Sequence, residues 1–261
     1  MTTDRVHYEK RGQSAWITLN RPEALNAVTP QMIESLHHFA SEAQDDPDVR
    51  VIVITGTGRG FCPGFDIALF QELSTNMNEL WGVAENLLTT WSFIRTLSKP
   101  TIAALNGVTA GGGFELALGC DLRIASRTAK IGSCEVGINQ PTTNGSSYML
   151  ARLIGESKAK ELCFTGDLWS AEEAARVGLV NAVADPDEFE GTVQNWADKI
   201  SSRAPIAVRA VKDFFEKGRL MSIDSVVEME EKAALACCFT EDQQEGFNAF
   251  LEKREPRWAD K

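Results

Sequence analysis

The run Lys99-Pro-Thr-Ile-Ala-Ala-Leu-Asn-Gly-Val-Thr-Ala-Gly-Gly-Gly-Phe-Glu115 decides how this chain is read. Residues 101–105 are short, apolar and partly β-branched, and Pro100 and Asn106-Gly107 bound them, which is the pattern of a core strand. Gly111, Gly112 and Gly113 then precede a short helical pattern over residues 114–119. The first N–H groups of a helix have no internal partner and lie at the positive end of its dipole, so they suit an anion or a carbonyl acquiring negative charge. Glycine lets a ligand approach that backbone closely. The run thus places free donors and the Glu115 carboxylate within about one turn, although three glycines alone fit close strand–helix packing equally well.

A second stretch repeats the design. Residues 51–55, Val-Ile-Val-Ile-Thr, form a β-prone run leading into Gly56-Thr-Gly-Arg-Gly-Phe-Cys-Pro-Gly-Phe-Asp-Ile67. This is not a dinucleotide fingerprint, because Phe61 stands where the third glycine would be, and no GxxxxGK[ST] phosphate loop occurs in the chain. Two such turns, each supplying one backbone donor, would make an oxyanion hole; losing one donor from such a hole costs about 3–4 kcal/mol of transition-state stabilisation.

Four ordered segments carry a resemblance that spans nearly the whole chain: Asn20-Arg-Pro-Glu-Ala-Leu-Asn-Ala27, Gly60-Phe-Cys-Pro-Gly-Phe-Asp66, residues 99–126, and Phe250-Leu-Glu-Lys-Arg-Glu-Pro256. Together they resemble the crotonase superfamily of enoyl-CoA hydratases and isomerases. The resemblance implies an α/β fold, a crotonase-like spiral of ββα units with a C-terminal helical trimerisation region. It places the oxyanion-hole donors on the backbone N–H groups of Phe65 and Gly112, and substrate or coenzyme A contacts at Arg21, Ala27, Gly64, Asp66, Ile67 and Ala68. In hydratases of this family one catalytic glutamate follows the hole-forming glycine by three residues and another follows twenty later; those positions here are Glu115 and Glu135.

Adding water across a conjugated double bond needs a base for the water and an acid for the α-carbon, and two carboxylates divide these tasks when their environments separate their pKa values. By resemblance, Glu115 and Glu135 position the water, and Glu135 moves the α-proton. An isomerase needs one base only. Without the flanking motifs, Glu115 would read as a first-turn acid favoured by the helix dipole and Glu135 as a surface carboxylate.

Three departures from the family pattern bear on the reaction. After Glu135, a Pro-Gly-x-Gly-Gly loop is usual, whereas this chain has Val136-Gly-Ile-Asn-Gln-Pro-Thr-Thr-Asn-Gly145, a residue shorter and more polar. Proline fixes φ, and buried Thr and Asn need hydrogen-bond partners, so this loop is expected to favour short, cyclic or oxygenated acyl groups over long unbranched chains. Phe65 replaces a small residue. Ala68 stands where a lysine often meets the coenzyme A phosphates, leaving Arg59, Arg21, Lys253 or Arg254 to compensate.

The 261 residues, 43% hydrophobic and 24% charged, suit a globular chain with one well-filled core and a short appendage. A formal charge of −11 speaks against nucleic-acid binding, which needs a basic face. Coenzyme A is polyanionic too, so a site for it must gather cations locally. The six cysteines, at 62, 120, 134, 163, 237 and 238, form no CxxC pair and no metal-ligand spacing; they read as reduced core thiols in a cytoplasmic setting. Cys62 and Cys134 flank the proposed site, where packing is favoured over nucleophilic attack. His7, His37 and His38 lie outside the motifs, with no catalytic triad and no HExxH site. No apolar leader follows Met1, and no stretch has the length of a membrane span. Asn144-Gly-Ser146 matches a glycosylation sequon and reads as a turn before a helix.

Strands are expected at 15–19, 51–55, 101–105 and 122–125, with helices at 30–44 and 80–97; this alternation argues for parallel sheets. Helices are expected at 157–164, 170–177, 188–202, 205–217, 223–239 and 242–253. The chain divides into a catalytic, coenzyme A-binding core at 1–200 and a helical region at 201–261. The helix at 223–239 is apolar over much of its circumference, which suits either core packing or a subunit interface. These readings converge on a soluble enoyl-CoA hydratase acting on an acyl-CoA thioester. It would need no metal and no cofactor beyond the coenzyme A of its substrate, bind neither nucleic acid nor membrane, and assemble as a homotrimer or homohexamer. The alternatives are an isomerase, another thioester-enolate enzyme such as a hydrolase or decarboxylase, and a noncatalytic scaffold of the same fold.

Overall fold

Strand β1 (Thr2–Thr3), β2 (Val6–Arg11) and β3 (Ser14–Leu19) form an antiparallel entry into the larger of two sheets. The structure, a computed structural model, describes residues 2–3 and 5–261. Helix α1 (Pro30–Asp45) follows, with proline at its first position and the Thr29 hydroxyl accepting from Met32 N–H, the two signals of a helix start.

From there three turns of chain repeat one plan. β4 (Val51–Gly56) joins the large sheet, β5 (Gly60–Cys62) crosses to a small second sheet, and helices α2 (Ile67–Leu73) and α3 (Met77–Thr96) complete the turn. β6 (Thr101–Leu105), β7 (Val108–Ala110) and α4 (Gly111–Gly119) make the next. β8 (Leu122–Ser126) and β9 (Lys130–Gly132) lead through a 3-10 turn at Glu135–Ile138 into α5 (Ser146–Ile154). Then come α6 (Glu156–Thr165), β10 (Trp169–Ser170), α7 (Ala171–Arg176), β11 (Ala182–Ala184) and α8 (Phe189–Ser201). The tail holds α9 (Pro205–Gly218), α10 (Ile223–Cys237) and α11 (Glu241–Glu252).

The large sheet runs β1-β2-β3-β4-β6-β8-β11 and is parallel from β3 onward; the small one runs β10-β9-β7-β5, with β5, β7 and β9 parallel. Both faces of the large sheet are covered. Ile52 and Ile54 pack with α1, α3 and α4 in the main core, while Val51 and Val53 turn to a second cluster under α8 with Phe189 and Val193. A strand buried on both faces reads as a continuous apolar run, which is why 51–55 was visible without alternation.

The structure corrects several expectations. Helix α4 begins at Gly111, so the three glycines are its first turn rather than its preface, and β7, not β6, feeds them. The strand at 101–105 ends at Asn106-Gly107, where the chain changes sheets. Cys62 and Cys120 are buried, but Cys238 is exposed and so is not a core thiol. No residue of α10 is buried; Leu235 is 63% exposed and Phe239, just beyond its end, 90%, so this helix does not pack into the core of its own chain. The tail is nevertheless fastened: Lys212 Nζ donates to Asp121 Oδ2 at 2.8 Å and to the Lys99 carbonyl at 3.0 Å.

Candidate active site

Neighbouring parallel strands bring the two glycine turns side by side. β5 pairs with β7, so the residues that follow each strand, 63–66 and 111–113, emerge together. Val28 fixes the first turn: its N–H donates to the Gly64 carbonyl at 2.9 Å, and its carbonyl accepts from Asp66 N–H at 3.0 Å. The intervening Phe65 amide therefore faces the other way, and neither it nor the Gly112 amide donates to any group among the described residues. A Cβ added to Gly112 would lie 3.9 Å from Phe65 N, so the two amides border one small space.

Two glycines here are irreplaceable on geometric grounds. Gly64 has φ +107°, and a Cβ on it would sit 2.9 Å from Gly112 N, in the space the amides border. A Cβ on Gly113 would lie 2.1 Å from the Cys62 carbonyl oxygen, so a side chain there would push α4 off β5. Trp91 of α3 adds a third restraint, its indole N–H donating to the Gly112 carbonyl at 2.7 Å.

Side chains of the quoted motifs stiffen the same turns. Asn26 donates to the carbonyls of Thr57 (3.0 Å) and Gly60 (2.7 Å), and Asn106 donates to those of Gly58 and Gly60, both at 2.9 Å. Arg21 pairs with Asp66 at 2.5 Å and donates to the Ala27 carbonyl. Asp66 also caps α2 by accepting from Leu69 N–H; that bond first, and the Arg21 pairing second, holds its carboxyl below the usual aspartate range. Arg21, Ala27 and Asp66 thus form one tied cluster under the Phe65 turn, while Ile67 and Ala68 are exposed on the first turn of α2. Arg254 is occupied by Glu245 and Glu252 within the tail.

The two glutamates differ in surroundings. Glu115, on the second turn of α4 and 4% exposed, is gripped by the loop that departs from the family pattern. Its carboxylate accepts from Thr143 N–H, from the Thr143 hydroxyl (2.8 and 3.0 Å) and from Asn144 Nδ2 (2.5 Å), with the Thr142 hydroxyl at 3.3 Å. The polar groups of that loop are therefore turned onto Glu115. Glu135, at the start of the 3-10 turn, accepts from the Ser133 hydroxyl at 2.7 Å through Oε2, while its buried Oε1 bonds to nothing among the described residues. Burial pushes its carboxyl above the ordinary glutamate range, helped by the negative charge of Glu115 and opposed by the Ser133 bond.

Gly64, Phe65, Ile67, Gly112, Glu115 and Glu135 all line one cavity of about 500 Å³. Its remaining walls are mostly apolar and come largely from α2 and α3, with Phe70, Leu80, Val83 and Leu87 among them. The arrangement presents two free amides, one carboxyl tethered by a loop and one held above the ordinary glutamate range by burial, all facing an apolar chamber.

Sequence reasoning missed Trp91, Ser133 and the α3 wall. A strand-end serine two residues before a glutamate carries no pattern of its own, and Trp91 reaches Gly112 across 21 positions. Among the described residues no group of three or more His, Cys, Asp or Glu is placed to hold a metal ion.

A family model described as Enoyl-CoA hydratase/isomerase matches residues 9–261. The chain is 38% identical to a short-chain-enoyl-CoA hydratase of Clostridium acetobutylicum over 97% of each, and 38% identical to a crotonyl-CoA hydratase of Syntrophomonas wolfei over the full length of both. Its structure superposes on the crystal structure of an enoyl-CoA hydratase from Bacillus anthracis with a TM-score of 0.95 at 33% identity, covering 98% of this chain and all of that one. With the ββα spiral, the paired turns and both glutamates in place, the chain belongs to the enoyl-CoA hydratase/isomerase family of the crotonase superfamily.

Proposed function

We infer that this protein hydrates the double bond of a 2-enoyl-CoA thioester, giving a 3-hydroxyacyl-CoA. The observation that carries the reading is the pair of unlike carboxyl environments, Glu115 and Glu135, on the wall of one apolar cavity beside two unengaged amides. The thioester oxygen accepts from the N–H groups of Phe65 and Gly112 and gains charge as an enolate. Glu115 takes a proton from water as the water oxygen bonds to the β-carbon. Glu135, which burial favours in the protonated form, delivers a proton to the α-carbon. Arg21, Ala27, Gly64, Asp66, Ile67 and Ala68 shape or meet the coenzyme A portion, and the substrate brings the only coenzyme the reaction uses. The names of the relatives support a short acyl chain.

Assembly as a homotrimer or homohexamer is part of the same proposal. The tail leaves the large apolar side chains of Ile223, Leu235, Phe239, Phe250 and Leu251 exposed, and apolar exposure of this kind supports a partner surface. A cytoplasmic location is supported by the six unpaired thiols; among the described residues no helix is long and apolar enough to cross a membrane.

A second reading, double-bond isomerisation, is favoured by one observation: the loop already fills the hydrogen-bonding capacity of Glu115, and isomerisation needs Glu135 alone as base. The experiment is to incubate purified protein with 2-enoyl-CoA and 3-enoyl-CoA thioesters, following the conjugated chromophore. Hydration removes the chromophore from the 2-enoyl substrate. Isomerisation creates it from the 3-enoyl substrate and adds no water.

A further inference from the structure

A second cavity, of about 340 Å³, has Glu115 in its wall. Among the described residues, the one lining both it and the acyl cavity is Glu115. The two spaces differ in character. The acyl cavity is walled mainly by apolar side chains of α2 and α3, whereas the second, to which Trp91, Met149 and Leu220 add apolar surface, also carries the polar and charged groups of Ser92, Arg95, Asn144, Tyr148, Glu216 and Arg219. Its volume is far above the roughly 10–15 Å³ that a single water needs, and its lining offers the several polar partners that hold water in place.

We propose that this second cavity is the reservoir from which Glu115 draws the nucleophilic water, so that acyl chain and water enter by separate spaces. The inference rests on the hydratase reading. An acyl chain seated in the first cavity lies among Phe65, Phe70, Leu80 and Leu87 and displaces water from that side, just when Glu115 needs a water to deprotonate. Asn144 stands at the boundary, since it lines the second cavity and its amide bonds Glu115 Oε2. Exchange of that amide for water at Oε2 opens the route. One O–H bond of the water then breaks as its oxygen bonds to the β-carbon; that proton passes to Glu115, and the enolate electron pair takes the proton of Glu135 at the α-carbon.

The tail takes part in this reservoir. Glu216, in the last turn of α9, pairs with Arg219 and lies 3.8 Å from Arg95 of α3, while the Tyr148 hydroxyl of α5 donates to the Arg219 carbonyl at 3.5 Å. Charged groups held at the rim by one another keep the mouth hydrated and tie α9 to the catalytic core.

The test fills the second cavity from two walls. Gly119, at the end of α4, has room for a Cβ, whose nearest contacts would be 3.8 Å away at Arg95 Cβ and the Trp91 carbonyl. Gly119→Leu and Ser92→Phe each project bulk into the cavity, and Gly119→Ala leaves it open. Two readouts are taken on folded proteins: hydration of crotonyl-CoA, and exchange of the α-hydrogens of butanoyl-CoA with D2O, which uses the amides and Glu135 but adds no water. The proposal expects kcat for hydration to fall at least about tenfold in both filled variants, with exchange kept within about twofold and Gly119→Ala close to the parent. Unchanged hydration in the filled variants would overturn it, as would exchange falling in step with hydration. Absence of hydration in the parent would instead refute the hydratase reading itself.

Discussion

The indole N–H of Trp91 donates to the carbonyl oxygen of Gly112 at 2.7 Å, so α3, which walls the acyl cavity, also fixes the first turn of the helix that presents the Gly112 amide. Trp91→Phe keeps an aromatic ring and removes the donor, leaving a carbonyl without its partner. Such a loss costs about 1–3 kcal/mol. The expected result is a fall in kcat of about tenfold with KM nearly unchanged, measured by steady-state kinetics on protein whose circular dichroism matches the parent.

Gly64 makes a sharper prediction. Its φ of +107° disfavours any side chain, and a Cβ there would lie 2.9 Å from the Gly112 nitrogen, in the space the proposed mechanism gives to the thioester oxygen. Gly64→Ala is expected to lower kcat/KM by about a hundredfold or more, the scale of a lost oxyanion-hole donor. A folded variant at parental activity would remove the Gly112 amide from the account.

Burial raises the folded-state pKa of Glu135, so between the ordinary glutamate range and that raised value the folded chain binds more protons than the unfolded one. Stability therefore falls as pH rises through this window, and the full penalty stands above it. Glu135→Gln removes the penalty: its melting temperature is expected to exceed the parent's at pH 8 and to converge with it near pH 4. On the proposed mechanism, hydration by the parent is expected to decline on the alkaline side, as Glu135 loses its proton.

The tail predicts an assembly. Leu235→Asp together with Phe239→Asp puts charge on an apolar surface that nothing in the chain covers. Sedimentation of the parent is expected to show a trimer or a multiple of it, and the double variant is expected to sediment as a smaller species; a monomeric parent would contradict the interface reading.

What the sequence disclosed follows its physics. The core strands at 51–55 and 101–105 and the amphipathic helix at 30–44 announced themselves because β-branched runs and a proline at a helix start are local signals. Strands β5, β7 and β9 did not, since three residues are too few for any periodicity to register, and it is their lateral pairing that assembles the site. Glu115 and Glu135 were legible only through their spacing within the family motif. What sets them apart, the Thr143 and Asn144 grip on one and the burial of the other, arises from contacts that no local window contains. The same holds for the loop at 141–144: its polarity was plain in sequence, but the direction of those polar groups, toward Glu115, was not.

In the proposed mechanism two carboxyl groups share one hydration. The most direct measurement is the rate of chromophore loss from crotonyl-CoA for the parent, Glu115→Gln and Glu135→Gln, with binding of a saturated acyl-CoA followed in parallel. Expected are hydration by the parent, a loss of about two to four decades in each variant, and nearly unchanged acyl-CoA binding. A parent that adds no water to any short 2-enoyl-CoA, or either variant turning over at the parental rate, would contradict it.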